Sequence, residues 1–446
     1  MARREGQGEP AVAQREQRRV VATEHVVGRA DQALLPKVLI AASIIALPAL
    51  KPRGPGHLTP ADFVMSATII GIVLWARTNR VEVHAPYAIP VAILILTGMF
   101  AALFGIAPQT GLLSAVQEIF LLAWAGSIAT LCRSPKTLSL ILSTWAWSAM
   151  AWASVLAGAV LTHQWWLAGA GAQSGNGARA QLAFDNPNMA ADYFLISFFV
   201  VIISRYPRNP IARTYAYLII AAALVLTGSN AAFLSLAVGA TVAVFVALWR
   251  RGDMVSAVAV SAVVGALLIG SIYAAAESGT VRNLENSSNV LIQRSVARGP
   301  KSAAGRQTLY NEEFQLYRSG SLLGRGPAST KTSLGSSLGE IVKEAHDDYL
   351  ATLIERGGIG VIGLIILIGA IGLRAFYIAL RPLAPAYARL VARPSLVLGA
   401  VFAIAATSTT HEILHYRHVW ALLGILGGVY LYGRQTSATL VPQPDS

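Results

Sequence analysis

The stretch KEAHDDYLATLIERGGIG, Lys343 to Gly360, places one histidine among several carboxylates, just ahead of an apolar run. A helix over Glu344–Glu355 would put His346, Leu350 and Leu353 on one face, at i, i+4 and i+7. Asp347, Asp348 and Glu355 would then fall elsewhere around it. Neighbouring carboxylates favour the charged imidazole and raise its basicity. A histidine held over a cavity at a membrane edge has the chemistry of a general base. The plain alternative is an interfacial histidine satisfied by water or backbone.

Arginines recur in the same polar region: Arg282, Arg294, Arg298, Arg306, Arg318 and Arg325, with Arg179 in an earlier loop. Guanidinium groups grip phosphate with paired hydrogen bonds and stay charged. An anionic substrate would explain the cluster. Long translocated loops are also largely exempt from charge bias, which leaves a second explanation open. The segment QLAFDNPNMAADYF, Gln181 to Phe194, contains Asn186-Pro187-Asn188, with Asn188 expected to cap the helix that follows. Asp192 lies in the first turns of that helix and could face a cavity. The string HEILH, His411 to His415, fits a zinc-helix pattern, but it sits at an expected turn between apolar helices.

These residues need positioning elements, and the composition names them. The chain has 446 residues, 54% hydrophobic and only 13% charged, where soluble domains carry about 25%. Apolar runs long enough to span a bilayer recur along it. They lie near 34–50, 61–77, 87–106, 111–131, 137–161, 188–204, 211–227, 231–249, 254–276, 357–379, 395–411 and 416–433. The expected fold class is an all-α polytopic membrane protein, because lipid offers no partner for exposed backbone. About twelve transmembrane helices follow, with a large outer, periplasmic loop that contains an amphipathic helix. Tyr310, Phe314 and Tyr317 in GRQTLYNEEFQLYRSGSLLGRGP have that helix's spacing, before Gly320, Gly324 and Gly326.

The breaks ARTNR, CRSPK, RYPRNPIAR, WRRGD and RPLAPAYARLVARP all carry Lys or Arg, so they are expected on the cytosolic side. KPRGPG, 51–56, is an exception. The organisation expected is a polar cytosolic tail over 1–33 with no cleavable signal, and helices over 34–276. The large loop follows over 277–356, then three helices over 357–433 and a cytosolic tail over 434–446. The net charge of +13 lies mostly in the first tail and short loops. There it sets topology, so nucleic acid is not an expected partner. The single Cys132 excludes an internal disulfide.

Taken together, three stretches resemble the O-antigen ligase and O-antigen polymerase superfamily of bacterial membrane glycosyltransferases. They are RAQLAFDNPNMAADYF from Arg179, GRQTLYNEEFQLYRSGSLLGRGP, and EAHDDYLATLIERGGIG, within roughly residues 110–432. The resemblance implies transfer of a glycan from polyprenyl (undecaprenyl) diphosphate to an acceptor hydroxyl at the outer face of the inner membrane. No metal and no cofactor are implied. His346 would take the acceptor proton and Arg306 would hold the donor diphosphate, with Arg179, Arg325 and Arg318 as further diphosphate ligands. Glu344, Asp347, Tyr310 and Asn230 would support them. The chain departs from the family at TGSNAAFLSL, where Asn230 stands in place of an expected arginine. The partners implied are the lipid-linked glycan, a glycan or lipid A core acceptor, and membrane lipids. Ligase and polymerase forms are not separated, and a protein O-oligosaccharyltransferase is a variant of the same chemistry. A lipid or polysaccharide transporter is the alternative from another class. It would want charged or helix-breaking residues inside several spans.

Overall fold

A computed structural model describes residues 34–52, 58–106, 108–164, 166–169, 180–184, 186–277, 310–318, 322–330, 333 and 347–434. Every apolar run expected to be helical is a helix. They are α1 (Leu34–Ala46), α2 (Pro60–Asn79), α3 (Ala88–Phe104), α4 (Pro108–Leu131), α5 (Pro135–Leu161), α6 (Pro187–Ser204), α7 (Pro210–Leu226), α8 (Asn230–Trp249) and α9 (Met254–Glu277). After the long loop come α10 (Asp348–Leu380), the short α11 (Pro385–Ala388), α12 (Ser395–Ser408) and α13 (Arg417–Tyr432). Residues 310–318 are also helical, in agreement with the Tyr310, Phe314 and Tyr317 spacing. No strand occurs among the described residues; Leu383 and Arg434 form one isolated bridge.

Six helices, α2, α4, α5, α6, α8 and α10, are long and apolar enough to cross a membrane. α1, α3, α7, α12 and α13 are shorter. The chain is thus a multi-pass helical membrane protein.

Helix starts follow local chemistry. Proline at the first position of α5, α6 and α7 is pre-set for helix and lacks only an N–H that would be unpaired there. The cap of α6 is Asn186, whose Oδ1 accepts from the Met189 N–H at 2.8 Å. Asn188, expected in that role, is already inside the helix, because Pro187 takes the first helical position.

α6 is the axis of the bundle. Of its apolar window 83% is buried, against 28% for that of α10. Its Ser197 accepts from the Trp145 indole of α5 at 2.9 Å. α8 and α12 meet at glycines: a side chain on Gly239 would lie 2.6 Å from the Gly399 carbonyl. Without water to drive association, membrane helices gain most from such close backbone contact.

Candidate functional site

The described segments of the long loop, the start of α10 and the turn after α12 meet at one end of the bundle, the loop end. Tyr310 donates its hydroxyl proton to the Thr409 carbonyl at 2.5 Å. This ties helix 310–318 to the turn that follows α12. In that helix the Arg318 guanidinium lies 4.6 Å from the centre of the Phe314 ring.

α10 starts at Asp348, not near Glu344. Asp347 has extended backbone (φ −151°, ψ 116°), and its carboxylate accepts from the Tyr349 N–H at 2.7 Å. The expected face joining His346 to Leu350 and Leu353 therefore does not run back through position 347. An N-cap residue is non-helical because its side chain replaces a missing backbone acceptor. Burial pushes the Asp347 carboxyl above its ordinary range, against the pull of its two backbone hydrogen bonds.

The other described acids of the stretch are committed as well. Asp348 is buried, and its carboxylate accepts from Ile413 N–H at 2.9 Å and Leu414 N–H at 3.4 Å. It thus fastens the turn after α12 to the start of α10. Glu355 is buried and accepts from the Thr330 hydroxyl at 2.5 Å. The carboxylates around position 346 hold backbone together.

The loop reaches α10 where that helix breaks. Gly357 has φ +66° and ψ −168° inside it. The freed carbonyls of Ile354 and Glu355 accept from Arg325 and Gly326 N–H, both at 2.9 Å, and Gly358 N–H donates to the Leu322 carbonyl. A Cβ on Gly357 would sit 2.1 Å from that Leu322 oxygen, and one on Gly324 2.5 Å from the Glu355 oxygen. The two glycine motifs of the sequence are therefore halves of one contact. The boundary drawn between residues 356 and 357 falls inside this helix; beyond the break, residues 358–380 alone span roughly 35 Å at about 1.5 Å per residue.

Beside the break, Arg356 makes a paired contact with Glu118 of α4 and donates to the Leu94 carbonyl of α3 at 2.8 Å. Sequence reasoning missed this pair. The available signal was Glu118 itself, an acid within an apolar run. Asp62 and Arg417 form a second pair, at 2.7 Å, between α2 and α13. Asp192 is 1% exposed, so it is buried and does not line an open cavity. One of its oxygens has no hydrogen-bond partner, and Thr407 and Asp348 are its polar neighbours.

Among the remaining expected site residues, Asn230 is the first residue of α8 and is exposed at its start. Arg325 is half-buried. His346, Arg306, Arg179 and Glu344 lie outside the described residues. The HEILH string forms a turn, so His411 and His415 are not one helical turn apart. His411 Nδ1 lies 2.9 Å from the Thr410 hydroxyl, and His415 packs edge-on to Tyr416.

No curated protein matches the chain. Residues 215–368 match the family described as O-antigen ligase. The matched segment runs from α7 through the long loop and past the α10 break, and it contains Arg306, Arg318, Arg325 and His346. The chain is therefore a multi-pass membrane protein that is similar, over residues 215–368, to the O-antigen ligase family.

Proposed function

We propose that the protein transfers a glycan from a polyprenyl diphosphate to an acceptor hydroxyl at the outer face of the bacterial inner membrane. It crosses the membrane twelve times, with both termini in the cytosol, and uses no metal. His346 removes the acceptor proton as the acceptor oxygen attacks C1 of the donor sugar. The C1–O bond to the diphosphate breaks, and the anomeric configuration inverts. Arg306, with Arg179, Arg318 and Arg325, holds the leaving diphosphate. Fixed cations favour the transition state over the ground state there, because negative charge grows on the leaving group. Asp347, Glu344, Tyr310 and Asn230 support this arrangement.

The observation that carries the proposal is the family match across 215–368. The convergence at the loop end agrees with it. Tyr310, the Arg325 backbone and Asp347, next in the chain to His346, belong to segments stitched to one another or to the same turn. A lipid A core, a growing polysaccharide and a protein hydroxyl all suit the same base.

The test is His346→Ala at the native locus, followed by extraction of carrier-linked glycans. General bases contribute about 10²–10⁴-fold to rate, so carrier-bound glycan should accumulate. Long chains stranded on the carrier identify a ligase; single repeat units identify a polymerase. Unchanged carrier-linked and surface glycans, with normal protein levels, would remove His346 from the mechanism.

A further inference from the structure

At the end of the bundle opposite the loop, four arginines surround one cleft. Arg205, Arg208, Arg213 and Arg389 line it with Ser204 and Ala392, and its volume is about 360 Å³. Three elements build it. Arg205 caps the end of α6 in the left-handed region, Arg213 lies in the first turn of α7, and Arg389 follows α11. The Arg393 N–H donates to the Ile203 carbonyl at 3.2 Å, which fixes the α11–α12 connection to α6.

Two of the cations are held in place by neutral groups. Arg208 stacks 5.1 Å from the centre of the Tyr206 ring and donates to its hydroxyl at 3.3 Å. Tyr206 is itself bonded to Ser139 of α5 at 2.6 Å. Arg213 donates to the Arg205 carbonyl at 3.3 Å. Among the described residues no carboxylate pairs with any of the four. Like charges gathered round one cleft repel, and an anion between them reverses the sign of that interaction. The guanidinium fork suits phosphate oxygens.

The surface beside the cleft says what the phosphate is attached to. Ile211, Tyr215 and Leu218 follow it along α7 at i, i+4 and i+7, and are 80%, 47% and 66% exposed. This face runs from the charged cleft along a helix of the membrane bundle, as an acyl chain would. We propose that the cleft binds the phosphate of an anionic phospholipid headgroup, with an acyl chain lying on the Ile211–Leu218 face. Basic pockets between transmembrane helices have the chemistry for such headgroups. The site is distinct from the donor-binding arginines, which are assigned to the loop region.

The experiment uses the purified full chain in a neutral detergent. Phosphatidylglycerol, phosphatidylcholine and inorganic phosphate are titrated separately, with the thermal midpoint as readout. Retained lipid is counted by native mass spectrometry. Phosphatidylglycerol should raise the midpoint at concentrations where the other two do not, and one molecule should be retained preferentially. Each arginine removed should weaken binding about fivefold, so R208Q/R389Q should need about 25-fold more phosphatidylglycerol. R208K/R389K keeps the charge and should lose less. An equal response to phosphatidylcholine, or to inorganic phosphate alone, would overturn the lipid assignment. So would an unchanged midpoint response in R208Q/R389Q. If that variant does not fold, the comparison of the three ligands on the unaltered chain decides.

Discussion

The two ends of this bundle are held together by opposite chemistries. At the loop end the fastening groups are acids: Asp347 and Asp348 accept from backbone N–H groups, Glu355 accepts from Thr330, and Glu118 and Asp62 pair with Arg356 and Arg417. At the other end they are tyrosines and arginines. Tyr387 donates to the carbonyls of Cys132 and Arg133 at 2.9 and 2.8 Å, and Arg374 donates to the Pro86 carbonyl between the rings of Tyr87 and Tyr430. The difference follows from what each end must satisfy. A long loop docked on a broken helix presents irregular backbone N–H groups, which need acceptors. Short connections present carbonyls just outside helix ends, which need donors. The described acids of the loop end are therefore committed to partners, and the other end carries, in the α6–α7 cleft, arginines that no described carboxylate pairs with.

The sharpest way to break this contrast is Glu118→Gln. It leaves the Arg356 cation buried with half its partner gone, at a cost of about 3–5 kcal/mol. The thermal midpoint should fall steeply. Adding Arg356→Met should recover much of the loss, since the stranded charge is removed and a neutral pair of similar volume is left; no recovery would mean that the pair has a role beyond packing. Gly357→Ala comes next. Backbone at φ +66° and ψ −168° is essentially confined to glycine and costs a residue with Cβ about 1–3 kcal/mol, and the contact with the Leu322 oxygen adds to it. The segment 322–330 should become accessible to protease while the helices stay folded. Unaltered protection would separate the loop from the helix break.

Capping gives a smaller comparison across the ends. Asn186→Ala should cost about 1 kcal/mol, near the usual value for a lost cap. Asn209→Ala, at an exposed cap of α7, should cost less; equal effects would deny the loop end its special dependence on buried partners. The smallest expected effect is that of Asp347→Asn. The raised carboxyl of Asp347 binds its proton more tightly in the folded chain than its ordinary value of 3.8 allows. Its contribution to stability is thus full below that value and declines as pH rises above it. Asparagine keeps the cap and removes the titration. The variant should lose less stability than the parent as pH rises above the ordinary carboxylate value of 3.8, measured by thermal unfolding.

The helices were legible because lipid imposes the same demand everywhere. A backbone without water must bond to itself, and the side chains facing hydrocarbon must be apolar. Each apolar run therefore announces a helix, and Pro187, Pro210 and Asn209 announce where helices begin. The glycines of GRGP and ERGGIG were also visible, but not their pairing, which needs two segments to approach across some thirty residues of chain. Glu118 and Arg356 likewise become partners only when α4 and α10 lie side by side. The acids beside His346 stood out as modulators of a base, and folding gave them structural work first. Local sequence carries everything that depends on the solvent around one segment: which residues form helices, where those helices start, and how long they run. Contact between segments decided the rest, because a hydrogen bond or an ion pair exists only once two distant pieces of chain share one place.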